Sequence, residues 1–137
     1  MNYLVDTSVW VDYIQGRTTE VTDYLDDILA MPAVVGINYQ IYFEILQGAR
    51  SQEAFTRLQS YFSTQRFYGF ADDMIGYERS AELYCQCRLR GITIRSSIEC
   101  LIAQCAIENE LRLLHQDRDF IRLQTAVPEF EHVHFLD

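Results

Sequence analysis

With 137 residues and a composition 49% hydrophobic and 13% aromatic, the chain is long enough to bury a real core, which excludes a disordered protein. The net charge of −9 argues against broad electrostatic capture of nucleic acid, and nothing approaches the run of about 18 apolar residues that a membrane span needs. All 11 basic residues are arginine, so functions that need a lysine are excluded: P-loop nucleotide hydrolysis, Schiff-base catalysis, haloacid dehalogenase-type phosphatases and response-regulator receivers.

Asn2 to Val5 is a short apolar run that ends at Asp6-Thr7-Ser8, a good helix start. Val9, Trp10, Tyr13 and Ile14 then follow helical spacing as far as Gly16. A second helix is expected from about Thr19 to Ala30, stopped by Pro32, and Ala33-Val34-Val35-Gly36 reads as a buried strand. Asn38 caps a helix carrying Ile41, Ile45 and Leu46 that Gly48 closes, and Ser51 opens another through Phe55, Leu58 and Phe62. Arg66 to Phe70 is a third strand.

Asp72 opens a long helix reaching Arg90, with Gly91 as its C-cap. Ser96 or Ser97 opens a helix with Ile98, Leu101, Ile102, Cys105 and Ala106 on one stripe. Leu111 to His115 is the fourth strand, Asp119 to Thr125 a short helix before Pro128, and His132 to Leu136 an edge strand. Strands alternating with helices give an α/β fold, a three-layer α/β/α sandwich around a central, mainly parallel sheet of four to five strands. Residues 1–137 are read as one domain. The four cysteines form no C-x-x-C pair and read as reduced packing residues. A chain that opens directly on a strand is expected in the cytoplasm.

Four carboxylates stand in or beside apolar segments, where an unpaired acid is costly: Asp6 after Tyr3-Leu4-Val5, Glu44 within Ile41 to Leu46, Glu99 before Cys100 to Ala103, and Asp117 after Leu113-Leu114. A hard divalent cation with oxygen ligands, Mg²⁺ or Mn²⁺, relieves that cost by gathering them. Asp6 and Asp117 fall at or just past strand ends. In an open α/β sheet that is where sites form, at the point where strand order reverses. Each acid also has a local reading: Asp6, Asp117 and Asp119 as helix caps, Glu44 as an exposed helical residue, and Glu99 as the N3 glutamate of a capping box with Ser96. His132 and His134 share one strand face and read as surface residues, while Tyr39, Tyr42 and Phe43 read as core or dimer-packing aromatics rather than an RNA-stacking platform.

The segments Leu4-Val5-Asp6-Thr7-Ser8-Val9-Trp10, Glu44-Ile45-Leu46-Gln47-Gly48-Ala49, Ile94 to Ala103 and Leu113-Leu114-His115-Gln116-Asp117-Arg118-Asp119-Phe120 occur together and in this order. In them the chain resembles the VapC-type PIN-domain ribonuclease toxins of bacterial toxin–antitoxin pairs. The resemblance implies a PIN-like fold and an Mg²⁺- or Mn²⁺-dependent endoribonuclease. It also implies the acidic quartet Asp6, Glu44, Glu99 and Asp117 as catalytic residues, with Asp6, Glu99 and Asp117 as metal ligands. The family usually has aspartate where Glu99 stands, so glutamate adds one methylene. Thr7, Ser8 and Asp119 are auxiliary candidates, Arg95 and Arg118 candidates for RNA phosphate or for structural ion pairs. The implied partners are RNA, a VapB-type antitoxin and a second copy of the chain, with no membrane role. The other reading left open is a catalytically impaired PIN-like domain that binds RNA or antitoxin without cleaving.

Overall fold

The computed structural model describes residues 1–137. In chain order the elements are β1 (Tyr3–Val5), α1 (Thr7–Ile14), α2 (Glu20–Leu29), β2 (Val35–Ile37), α3 (Tyr39–Gln47), α4 (Gln52–Phe62) and β3 (Arg66–Phe67). They continue with α5 (Asp73–Leu89), α6 (Ile98–Glu108), β4 (Arg112–Leu114), α7 (Arg118–Ala126) and β5 (His132–Val133). All five strands run parallel, in the order β3-β2-β1-β4-β5. The expected three-layer α/β/α architecture is therefore the observed one, with the last strand at an edge.

The centre of the sheet follows from the sequence. Tyr3, Leu4 and Val5 are all buried, as a parallel strand covered on both faces requires. Leu4 pairs in register with Leu113 on one side and Gly36 on the other. From β1 the chain builds outward through β2 and β3, then returns across the sheet to β4 and β5. The strand order thus reverses between β1 and β4, and a crevice opens beyond their carboxyl ends.

Side-chain caps place most helix starts. Asn38 accepts from the Ile41 amide at 2.9 Å, Ser51 from Ala54 at 3.0 Å and Asp72 from Ile75 at 3.1 Å, so each cap satisfies an orphan N–H of the first turn. Gly16 and Gly91 adopt φ of 76° and 73° just beyond α1 and α5, where a left-handed residue ends a helix without a Cβ clash. In α5, a Cβ on Gly76 would enter the Phe70 ring, so that position has room only for glycine.

The strands are shorter than the sequence pattern suggests. β3 stops at Phe67 and β5 at Val133, each opposite the last residue of its single neighbour, Ile37 of β2 and Leu114 of β4. On one flank Trp10, fully buried, meets Phe62 edge-to-face at 4.9 Å and 86°, which locks α1 against α4. The cysteines are free; Cys87, Cys100 and Cys105 are buried and Cys85 is exposed.

Candidate active site

Two turns meet at the reversal point. The Asp6 amide donates to the Leu114 carbonyl at 2.9 Å, so β1 and β4 end side by side. The Gln116 amide donates to Ser8 Oγ at 3.0 Å, and its side-chain Nε2 reaches the Ser8 carbonyl at 3.1 Å and Asp12 Oδ2 at 2.9 Å. These bonds staple the β1–α1 turn to the β4–α7 turn across more than 100 residues of sequence. Asp6 and Asp117 are the residues at which α1 and α7 begin, and each caps its own helix. A capping role and a role in the crevice are thus compatible for both.

Asp6 is buried, and its Oδ2 accepts from Ser8 Oγ at 2.6 Å and from the Ser8 amide at 3.1 Å. Burial pushes its pKa up, the Ser8 hydrogen bonds oppose the rise, and Asp117 adds to it. Glu44 projects from α3 and accepts from Thr7 Oγ1 at 3.1 Å. Its pKa is raised by desolvation first, then by the charge on Asp6 and, more weakly, that on Asp117. Thr7 and Ser8 therefore each hold one of the expected acids.

Glu99 lies in the first turn of α6, and the capping box expected with Ser96 is not formed. Ser97 occupies the N-cap in a helical conformation, with φ −68° and ψ −16°, and makes no side-chain cap. Ser96 Oγ instead accepts from the Ile98 amide at 3.3 Å. The preceding Arg95 amide donates to Asp119 at 3.0 Å, which ties this entry turn to α7. Released from local capping, Glu99 turns into the crevice. Its Oε2 is buried with no hydrogen-bond partner. Desolvation, followed by the charges of Asp117, Asp119 and Asp6, raises its pKa from 4.5 to about 7.

Oxygen atoms of Glu99, Asp117 and Asp119 all lie within 4.8 Å of one another. Asp6 stands outside that trio but is coupled electrostatically to both Asp117 and Glu99. Glu99, Asp117 and Asp119 thus lie at ligand spacing, while Asp6 and Glu44 stand beyond it, with Asp6 adding to the raised pKa of both glutamates. The donors are all hard oxygens, and an unpaired buried carboxylate oxygen is among them. Such a set fits a divalent cation that prefers oxygen ligands.

Asp119 is only 1% exposed and is the hub of the basic side of the site. Its Oδ2 takes the Arg95 amide and Arg95 Nε at 3.2 Å, and its Oδ1 takes Arg122 Nη1 at 2.6 Å. Arg95 also reaches Asp117 Oδ1 through Nη2 at 3.0 Å. Arg118, by contrast, donates to the Asp137 carbonyl at 2.9 Å and touches none of these acids. Arg122 and His115 carry no signal in the sequence that marks them for this site. Arg122 is one of two arginines on α7, and nothing in the sequence sets it apart from Arg118. His115 looks like the last residue of a strand, yet it is fully buried, and desolvation with its two histidine neighbours lowers its pKa to about 3.

The charge crowding gives a signed expectation for Glu99. A carboxyl whose folded-state pKa lies above its unfolded value favours the folded state at low pH, and that contribution is lost as pH rises from the ordinary carboxylate range through about 7. Glu99→Gln removes the ionised form. In EDTA the variant should melt higher than the parent at pH 8, with the advantage vanishing near pH 4. Calorimetry at the two pH values checks this; an equal difference at both would refute it.

A match to the PIN domain family spans residues 3–125. The chain is 32% identical over 118 residues to the VapC ribonuclease Mb1587 of Mycobacterium bovis and, equally, to ribonuclease VapC11 of Mycobacterium tuberculosis. Those alignments cover 85% of this chain and 87% of each relative. The chain belongs to the VapC group of PIN-domain proteins. The PIN fold is also that of a solved complex, VapBC2 from Rickettsia felis bound to a DNA fragment from its promoter. There the TM-score is 0.77 at 19% identity, covering 99% of this chain and 100% of the other. Within this PIN domain the match covers every acid of the crevice, from Asp6 to Asp119.

Proposed function

We propose that this VapC-family PIN domain is a metal-dependent endoribonuclease that hydrolyses RNA phosphodiesters and is neutralised by a VapB-type antitoxin. The observation that supports the reading is Glu99 within 4.8 Å of Asp117 and Asp119, with Asp6 at the end of β1 beside them and Glu99 Oε2 buried and unpaired. Asp6, Glu99 and Asp117 would hold Mg²⁺ or Mn²⁺, with Glu44 completing the acidic set. When bound, such a cation lowers the pKa of a water and offsets negative charge on a phosphoryl group.

The chain's own residues do the rest. Ser8 fixes the rotamer of Asp6 through two bonds to one oxygen, and Thr7 orients Glu44. Asp119 holds the Arg95 guanidinium at the rim, 72% exposed, where it is free to meet an RNA phosphate once Asp117 is engaged elsewhere. Hydrolysis leaves a 5′-phosphate and a 3′-hydroxyl.

An apolar groove supports the antitoxin part of the reading. It encloses about 690 Å³ between α1 and α4 and is lined by Trp10, Tyr13, Ile14, Leu58 and Tyr61 with Arg50 and Arg57 at its edge. A smaller pocket shares Ile14, Gln15, Gly48 and Leu58 with it and leads on to Glu44. A segment seated there would run toward the acids. Arg95 already shows that Asp117 and Asp119 together accept a guanidinium, the group an inhibitor would present to them. Tyr39 and Phe43 on α3 and Met74, Ile75 and Tyr77 on α5 are exposed, with Tyr39 and Tyr77 lining one pocket, and are suited to packing against a second copy of the chain. The domain is proposed to comprise residues 1–137 and to act in the cytoplasm; no helix is long and apolar enough to cross a membrane.

The crevice repels RNA until its charge is offset. RNA affinity is therefore expected to fall at least about tenfold in EDTA relative to Mg²⁺, by the like-charge argument. Filter binding with a cleavage assay on total RNA tests both steps. Cleavage present in Mg²⁺ and absent in EDTA is the expected result. RNA bound equally in EDTA, or a folded wild type that binds antitoxin but cleaves nothing with either metal, would favour the non-cleaving binding module instead.

A further inference from the structure

Behind Asp117 lies a feature that the proposed chemistry does not use. His115 follows β4, fully buried, with its ring against Phe120 at 4.9 Å. Its Nδ1 accepts the Asp117 backbone N–H at 3.1 Å. Its Nε2 lies 2.8 Å from Nδ1 of His132 on β5. The two ring planes differ by 5° and their centroids are 5.1 Å apart. That separation, with nitrogens in hydrogen-bond contact, sets the rings edge to edge and nearly coplanar, in line for one N–H···N bond.

The tautomers follow from the partners. An Nδ1 that accepts a backbone N–H carries no proton, so His115 is protonated on Nε2 and donates to His132 Nδ1. His132 then bears its own proton on Nε2. The arrangement is held from the edge of the sheet, because β5 pairs with β4 and the His115 amide donates to the Val133 carbonyl at 3.2 Å. Asp117 is consequently gripped twice: its amide by His115, and its Oδ1 by the Asp119 amide at 2.9 Å together with Arg95. With both the backbone and the carboxylate fixed, the side chain has little rotational freedom left.

We propose that His115, backed by His132, is a positioning residue that sets Asp117 for cation binding, so that the edge strand β5 is coupled to the active site. The proposal rests on the reading of Asp117 as a metal ligand. It separates two roles that a buried histidine can have. A histidine that only fills space is replaced by any side chain of similar volume. One that positions Asp117 is replaced only by a side chain that restores the Nδ1 acceptor. Asparagine does so, because its Oδ1 stands close to where Nδ1 stood and accepts from the residue two positions on. Leucine and phenylalanine do not.

The test uses the full chain and Mn²⁺ as the probe, with affinity read by electron paramagnetic resonance and cleavage kinetics read alongside. His115→Leu should weaken Mn²⁺ binding by about 10- to 100-fold, the range for losing a group that orients a metal ligand, and with Mn²⁺ raised to saturation it should lower kcat while leaving KM for RNA unchanged. His115→Asn should recover most of both. His132 is half-buried on an edge strand, so its variants keep the proposal testable where a core change unfolds the protein. His132→Phe should move the same quantities in the same direction, and His132→Asn should restore them. Nitrogen-15 NMR of the imidazoles should show both rings protonated on Nε2. Equal losses in the Asn and Leu variants, wild-type Mn²⁺ affinity in a folded His132→Phe, or a proton on His115 Nδ1 would overturn the proposal. Asp117→Asn separates the two levels. Unchanged Mn²⁺ affinity in that variant would overturn the site reading and this proposal with it. A clear loss there beside unaffected histidine variants would overturn the positioning role alone.

Discussion

Asp6→Asn is expected to lower RNA cleavage by more than about a hundredfold, beyond the usual cost of losing an outer partner of a metal ligand, while leaving the protein folded. The two halves of that result come from different chemistry. Asparagine is as good an N-cap as aspartate, and its Oδ1 can keep the Ser8 amide and hydroxyl bonds that Asp6 makes. Removing the charge also relieves repulsion, since Asp6 is buried and adds to the raised pKa values of Glu44 and Glu99. The metal-free variant should therefore melt no lower than the parent at pH 8. What it loses is a carboxylate oxygen of full negative charge, and an amide is a poor substitute for that toward a hard cation. Cleavage of a defined RNA in Mg²⁺, paired with a melting curve, checks the result. An active Asp6→Asn variant, or one inactive only because it is unfolded, would contradict it.

Asp119→Asn should behave differently, costing stability as well as activity. Both Asp119 oxygens are used, one by the Arg95 amide and Nε and the other by Arg122, so an amide can satisfy only one side. The other side would set an NH₂ group against a guanidinium in a position that is 1% exposed. Loss of charged hydrogen bonds at a buried acceptor costs about 2–3 kcal/mol. The two arginines are largely exposed, which keeps the cost below that of breaking a fully buried ion pair. Because Arg95 and the Asp119 amide both bear on Asp117, cleavage should fall too. Urea unfolding compared with Asp6→Asn gives the contrast. A variant as stable as the wild type would show that the Asp119 hub contributes little.

The contrast between these residues also shows what could be read from the sequence. Caps such as Asn38, Ser51 and Asp72 act within one helical turn, so their positions announce helix starts without any knowledge of the fold. The all-buried β1 run and the acids at the ends of β1 and β4 likewise follow from local patterning joined to one topological rule. The capping box at Ser96 is not formed, because Ser97 takes the N-cap in a helical conformation and Ser96 Oγ accepts the Ile98 amide instead. Asp119, 24 residues away from Arg95, holds that turn, and Glu99 is left facing the other acids. His115 was hidden by a long-range contact. Its partner His132 becomes a neighbour only once β5 lies beside β4, and the shared face of His132 and His134 pointed outward from the sequence alone. In the fold those two rings instead stand 5.1 and 5.4 Å from His115. Arg118 shows the limit from the other side: it neighbours Asp117 in sequence, yet its guanidinium is held by the Asp137 carbonyl.

The acids at the β1/β4 reversal are expected to gather a divalent cation. Anomalous diffraction from crystals soaked in Mn²⁺ tests it most directly. A peak bounded by Asp6, Glu99 and Asp117, lost in the Asp6→Asn protein, is the expected result. Ordered carboxylates with no peak between them, or a peak at the His115–His132 pair instead, would contradict it.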